Sequence, residues 1–170
     1  MKKFELTTEF ITNFLGTKLF RIKALVEFGK VEKGELGGFV EKEENLDHDG
    51  DAWVSGDAMV YGNARVSGNA RVYGNAWVSG NARVSGDAWV SGDQMYAAVK
   101  GFGSEYRNTT FFITKDGNVC VNCGCFSGTL EQFREKVEET HKDTKYAKEY
   151  LMIADLMEMH FKEELEKIKK

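Results

Sequence analysis

From Gly50 to Asp93 apolar and polar positions alternate on a fixed six-residue step, Gly-(Asn/Asp)-Ala-x-Val-(Ser/Tyr). Valine recurs at Val54, Val60, Val66, Val72, Val78, Val84 and Val90, and alanine keeps the same step from Ala52 to Ala88. A period of this kind describes a coil of short parallel strands, a β-helix, in which each unit buries its apolar face only against its neighbours. Valine points inward, and the small alanine fits inward beside a corner. Glycine with Asn or Asp makes the corner, because both tolerate backbone angles that bulky residues resist. Three steps close one triangular coil of about 18 residues, so the segment holds a little over two coils. A stack that short needs its caps, or copies of itself, for stability.

The flanks have other periods. Residues 1–48 read as a β-rich cap: Phe4-Glu5-Leu6 and Phe10-Ile11 are short apolar runs, and Leu19 to Leu25 alternates as a half-buried strand does. The repeat occupies residues 49–93 and fails at Gln94, where alanine is due. Residues 94–170 then read as an α+β domain. Thr110–Thr114 and Val119–Asn122 flank Asp116-Gly117, a hairpin signal. Thr129 with Gln132 forms a capping-box pattern that predicts a helix from about Leu130 to His141. A second helix from about Lys145 places Ala147, Tyr150, Leu151, Ala154, Met157, Phe161, Leu165 and Ile168 on one side. That side packs on its own domain, with a trimeric helical bundle as the competing arrangement.

The variable position of the repeat is Trp53, Met59, Arg65, Arg71, Trp77, Arg83 and Trp89, predicted to face outward. With about 18 residues per coil these sort into three columns: Trp53, Arg71 and Trp89; Met59 and Trp77; Arg65 and Arg83. Coils about 4.8 Å apart would let a guanidinium stack between indoles in the first column. One use of such faces is contact between subunits of a homo-oligomer, with the arginines paired to corner aspartates. The other is ligand binding, with aromatic planes stacking a base and arginines holding phosphates. The candidate ligand- or partner-binding residues are therefore Trp53, Arg65, Arg71, Trp77, Arg83 and Trp89.

Composition narrows the remaining chemistry. The chain is 42% hydrophobic with a net charge of −4, so it folds around a core and offers no whole-chain attraction for duplex DNA or anionic membrane. The N-terminal residues lack an apolar signal region and no segment approaches a spanning helix, which predicts a cytoplasmic protein. Cys120, Cys123 and Cys125 read as reduced thiols. Zinc, with His141 as a fourth ligand, is disfavoured because Cys120 points to the opposite strand face from Cys123 and Cys125. Asp51, Asp57 and Asp87 read as turn formers rather than calcium ligands, so no metal and no cofactor are expected. His48, flanked by Asp47 and Asp49, is the only histidine placed at the coils for a general base, and it reads as a surface turn residue. No catalytic residue is assigned.

The Val-x-Gly-x-Ala-x arrangement over residues 50–93 resembles the hexapeptide signature of left-handed β-helices, a family that includes acyltransferases and commonly forms trimers. Taken with Leu19 to Leu25, Leu36-Gly37-Gly38-Phe39-Val40, Cys123-Gly124-Cys125-Phe126, Gly128-Thr129-Leu130 and Tyr146 to Leu151, the whole chain resembles phage- and prophage-encoded repeat proteins. The resemblance implies a mainly β protein: a short left-handed parallel β-helix, a β-rich cap and a hairpin plus two helices, assembled as a homotrimer in the host cytosol. It implies a non-catalytic binding protein that counters a host defence by sequestering a nucleotide signal or occluding a defence protein. The alternatives are a hexapeptide-type acyltransferase and a structural or assembly component of a phage particle.

Overall fold

A computed structural model describes residues 1–170, which divide into two compact units, Met1–Asp93 and Gln94–Lys170. The protein is mainly β, with a solenoid of repeats in the first unit and two helices at the C-terminal end of the second.

In the first unit a long hairpin, β1 (Phe4–Thr12) with β2 (Lys18–Ala24), is followed by β3 (Leu36–Val40) in an antiparallel sheet. The two apolar runs near the N-terminus are one strand, interrupted by a bulge between Leu6 and Phe10. Seven two-residue strands follow: β4 (Trp53–Val54), β5 (Met59–Val60), β6 (Arg65–Val66), β7 (Arg71–Val72), β8 (Trp77–Val78), β9 (Arg83–Val84) and β10 (Trp89–Val90). They form three parallel walls, β4-β7-β10, β5-β8 and β6-β9, with each residue over the one eighteen positions on. The repeat valines are fully buried and the repeat alanines nearly so. Each valine contributes about 1.5–3 kcal/mol by leaving water. The corner glycines from Gly50 to Gly86 adopt φ between +63° and +69°. At Gly50 a Cβ would also stand 2.5 Å from the Gly68 carbonyl oxygen one coil below, so the corner excludes a side chain twice over.

Around each two-residue strand, N–H groups donate to carbonyls of the following coil, Trp53 to Ala70, Met59 to Ala76 and Arg65 to Ala82, at 2.9–3.0 Å, and the parallel strand pairs complete the ladder. The coil at each end of the stack lacks one neighbour, and the backbone groups that would face it are costly if left unmade. The preceding segment supplies the donors on every wall. Lys3 Nζ donates to Gly50 O and Ala52 O, at 3.2 and 2.9 Å. The β3 backbone donates from Phe39 and Glu41 to Ala58 O and Val60 O. Asn45 Nδ2 donates to Gly62 O and Ala64 O, and Asp47 N–H to Val66 O. At the other end the Asp93 carboxylate accepts the Trp77 N–H at 2.7 Å. Because β3 is a strand of the β5-β8 wall, cap and repeat form one unit rather than two neighbouring domains.

The second unit is an antiparallel sheet in the order β11 (Tyr96–Phe102), β12 (Arg107–Ile113), β13 (Val119–Cys123), β14 (Phe126–Thr129), followed by α1 (Leu130–His141) and α2 (Lys145–Ile168). The Asp116-Gly117 hairpin is thus the middle of a four-stranded meander. The extra pairings come from Tyr96–Phe102 and from the Cys123–Phe126 turn, which is too short to show a strand period. Thr129 Oγ1 accepts the Gln132 N–H while Gln132 Oε1 accepts the Thr129 N–H, closing the capping box. Phe133 of α1 meets Phe111 edge-on at 5.9 Å and Tyr150 of α2 at 5.5 Å, joining both helices to the sheet.

Lys3 is nearly fully buried, its ammonium 4.7 Å from the Phe28 ring centre. Burial holds its pKa below the ordinary 10.5, against the opposing pull of Asp47 and Asp51. The folded chain therefore releases this proton at lower pH than the unfolded chain. In the interval just below 10.5 the unfolded state holds more protons, so this group makes stability rise with pH. Lys3→Met, which leaves the Gly50 and Ala52 carbonyls without their donor, is expected to cost about 1–3 kcal/mol in denaturant unfolding at neutral pH. It should also flatten the alkaline rise in stability. An unchanged midpoint would show that the first coil does not need this cap.

Candidate functional site

The three outward columns exist in the expected register, Trp53 beside Arg71 beside Trp89, Met59 beside Trp77, and Arg65 beside Arg83. Their surroundings differ from wall to wall, and this decides which can meet a ligand.

On the β4-β7-β10 wall the indole of Trp53 leaves the prism outward but is only 1% exposed. The cap crosses this wall at the first coil. Phe28 meets the indole edge-on at 5.4 Å, and a Cβ at Gly37 would fall 2.7 Å from its Cζ2. The expected outward, accessible Trp53 is thus corrected. Alternation along the strand sets its direction, while the cap segment covers it. Arg71 is half-buried and turns toward the cap: its Nη2 and the Asp51 carboxyl carbon would each lie 3.1 Å from a Cβ at Gly29. Trp89, 36% exposed, leans on Tyr73 at 6.0 Å. A guanidinium stacked between two accessible indoles is therefore not available on this wall.

On the β5-β8 wall Trp77 is 39% exposed and stacks on Phe14, with ring centres 5.9 Å apart and planes 19° from parallel. Phe14 and Leu15 occupy the exposed tip of the β1-β2 hairpin, where Asn13 Oδ1 accepts the Leu15 and Thr17 N–H groups and fixes the turn. Phe14 is a site residue that sequence reading passes over, since the hairpin tip carries only a turn signal and its reach to Trp77 is a tertiary fact.

On the β6-β9 wall Arg65 and Arg83 are both exposed and lie in register one coil apart. Like charges placed directly opposite are destabilising. The corner ahead of each is an uncharged asparagine, and Asn63 Nδ2 donates to Asn81 Oδ1 at 3.3 Å. Lys42 Nζ reaches Asn63 Oδ1 at 3.4 Å, adding a third cation along the strip. This corner separates the arginine wall from the Trp77 wall, so stacked aromatic rings and a cationic strip flank one edge of the prism.

His48 has a structural place. Its ring stacks on Phe4 at 4.4 Å, Nδ1 accepts the Lys3 N–H at 3.2 Å, and Nε2 lies 3.7 Å from Glu43 Oε2. Cys120, Cys123 and Cys125 are free thiols, and no group of three or more His, Cys, Asp or Glu side chains is arranged to hold a metal ion.

Residues 52–67, 64–80 and 76–92 each match the family described as the YdcK beta solenoid repeat, in successive steps of two hexads. The matched stretch is similar to that repeat; the flanking segments lie outside it. No curated protein matches the chain. No helix is long and apolar enough to cross a membrane.

The burial of Trp53 separates it from its two counterparts. Iodide is expected to quench the fluorescence of Trp77 and Trp89 but to leave a blue-shifted component that disappears in Trp53→Phe. Trp53→Ala should cost about 3–5 kcal/mol, as large core truncations do. Trp53→Phe should cost much less, because the buried indole N–H has no hydrogen-bond partner to lose. Full quenching of all three indoles would overturn the placement of the cap.

Proposed function

We propose that this protein is a non-catalytic binding protein whose solenoid, a left-handed β-helix, serves as a rigid scaffold for a flat anionic ligand of the nucleotide class. The observation that carries the reading is the in-register Arg65–Arg83 pair over neutral corners, one prism edge away from the exposed Phe14–Trp77 stack. Two arginines set one coil apart by the repeat offer a phosphate donors from both. Paired aromatic rings accept the face of a base without demanding a sequence. Trp53 and Arg71 belong to the structural wall in this reading, and Trp89 lies outside the site. On the resemblance to phage-encoded repeat proteins, the role we propose for such binding is sequestration of a host nucleotide signal in the cytosol.

The exposed cluster of Phe14, Leu15 and Trp77 supports a second use of the same wall, contact between copies of the chain in a homotrimer. The acyltransferase alternative would rest on His48, whose Nδ1 already serves the backbone, leaving only Nε2 beside Glu43 for an acceptor.

Calorimetry with cyclic mononucleotides, cyclic dinucleotides and ADP-ribose is expected to find a ligand bound below about 10 μM, roughly 7 kcal/mol. The double variant Arg65→Glu with Arg83→Glu should weaken it at least tenfold and Trp77→Ala should weaken it comparably, whereas Trp89→Ala should not. Silence across the panel, or equal affinity in the arginine variant, would retire the nucleotide reading. Native mass spectrometry of Phe14→Asp tests the second use: conversion of trimer to monomer assigns the aromatic wall to subunit contact.

A further inference from the structure

The Gln94–Lys170 unit contains a cavity of about 260 Å³ that the repeat surface and the reading above do not involve. It opens where the β11-β12 and β13-β14 turns face the C-terminal half of α1 and the second turn of α2. Its lining combines Arg107, Cys123, Phe126, Phe133, His141 and Tyr150 with the rim residues Glu105 and Lys136.

Two glycines keep the cavity's polar groups in place. Gly103, at φ +74°, lies so close to Tyr150 that a Cβ there would collide with the phenolic oxygen. Gly124, at φ +59° in the two-residue turn between Cys123 and Phe126, would collide in the same way with the Arg107 guanidinium. A side chain at either position would push out a functional group, and both backbones adopt angles that favour glycine. The floor is a chain of hydrogen bonds. Thr109 Oγ1 donates to Cys123 Sγ at 3.1 Å, the thiol donates to Tyr150 Oη at 3.7 Å, and the phenol donates to Phe102 O at 3.2 Å. Burial raises the Tyr150 pKa well above its ordinary value, so the phenol stays protonated and keeps its bond to Phe102 O.

The walls and rim supply the recognition. Phe133 stands edge-on to Tyr150 at 5.5 Å and 5.6 Å from Phe126, forming an aromatic slot. Arg107 lies at the mouth, and its only ion-pair partner is Glu105 at 3.9 Å, with both side chains at least half-exposed. A pair so long and so wet contributes little and yields readily to a better acceptor. Lys136, also at the rim, carries the same sign, and its contact with Glu139 is equally exposed. A cationic fork over an aromatic slot matches a flat body carrying one anionic group. The volume lies below the ~300–1,000 Å³ usual for drug-sized ligands, so the occupant is small.

We propose that this cavity is a binding site for a small planar organic anion, an aryl or heteroaryl carboxylate or phosphate, with its charge on Arg107 and its ring between Phe126, Phe133 and Tyr150. The site stands on the second unit alone, so it survives or fails independently of the nucleotide reading for the solenoid.

The test uses the full chain and the cavity's own thiols as reporters. Iodoacetamide labelling is followed residue by residue with mass spectrometry in the presence of phenyl phosphate, benzoate, inorganic phosphate or benzamidine. Phenyl phosphate or benzoate at low millimolar concentration is expected to slow labelling of Cys123 and Cys125 at least fivefold and to leave Cys120, which does not line the cavity, unchanged. Inorganic phosphate, lacking a ring, should protect less, and the cation benzamidine should not protect. Arg107→Met should abolish protection while labelling of Cys120 reports that the sheet is intact. Absence of protection by both aryl anions in the unaltered protein overturns the proposal. So does equal protection by benzamidine, which would make the cavity an apolar slot without preference for charge.

Discussion

The first unit depends on one constraint: each hexad must lie directly over the one eighteen residues on, so that valine stacks on valine and the backbone of each coil pairs with that of the next. Two-residue strands are too short to hold together alone, and the corners contribute no core of their own. The stack is stable only because the step never varies, since a single extra residue would move every later side chain to the wrong face. The same regularity leaves the outer edges of the first and last coils without a neighbouring coil to bond. The flanking segments supply partners there. Donors, including the Lys3 ammonium and the Asn45 amide, meet the first coil, and a carboxylate, Asp93, meets the last.

Much of this was legible in the residues. The six-residue step specifies the register of all three walls, and the failure of the step at Gln94 coincides with the boundary of the first unit. The Thr129–Gln132 capping box fixes the start of α1 because both halves of that motif lie within four residues. What the sequence could not yield are relations carried by distant segments. Trp53 obeys the outward rule of its repeat position and is buried nonetheless, because Gly37 and Phe28 lie across it. Nothing in the hexad marks its first copy as different from its last. Phe14 reaches Trp77 from a hairpin tip whose residues announce only a turn.

The second unit shows the same limit more sharply. Cys123, read along the chain, is one of three thiols with imperfect spacing for a metal. Its partners, Thr109 on the adjacent strand and Tyr150 on α2, are supplied by sheet register and helix packing. The cavity is an outcome of where the two turns end, and turn ends carry little periodic signal. Gly103 and Gly124 are the exception in principle, since a glycine beside a strand invites the question of what approaches it. The sequence leaves that question without an answer until Tyr150 and Arg107 are placed.

The corners of the prism show how a repeat that cannot vary in shape still varies in charge. Aspartate and asparagine both make the turn, so selection of one over the other is free to set the local field. Ahead of the first and third strands of the Trp53 wall the corner is Asp51 or Asp87, and Arg71 turns toward the Asp51 carboxylate. Ahead of both strands of the arginine wall it is asparagine, and the amides of Asn63 and Asn81 bond to each other. Aspartate at these two positions would keep the fold and place carboxylates alongside Arg65 and Arg83. Asparagine instead leaves a positive strip on a chain whose net charge is −4. The hexad thus keeps its shape whichever residue makes the turn, while aspartate or asparagine decides whether the corner carries a charge.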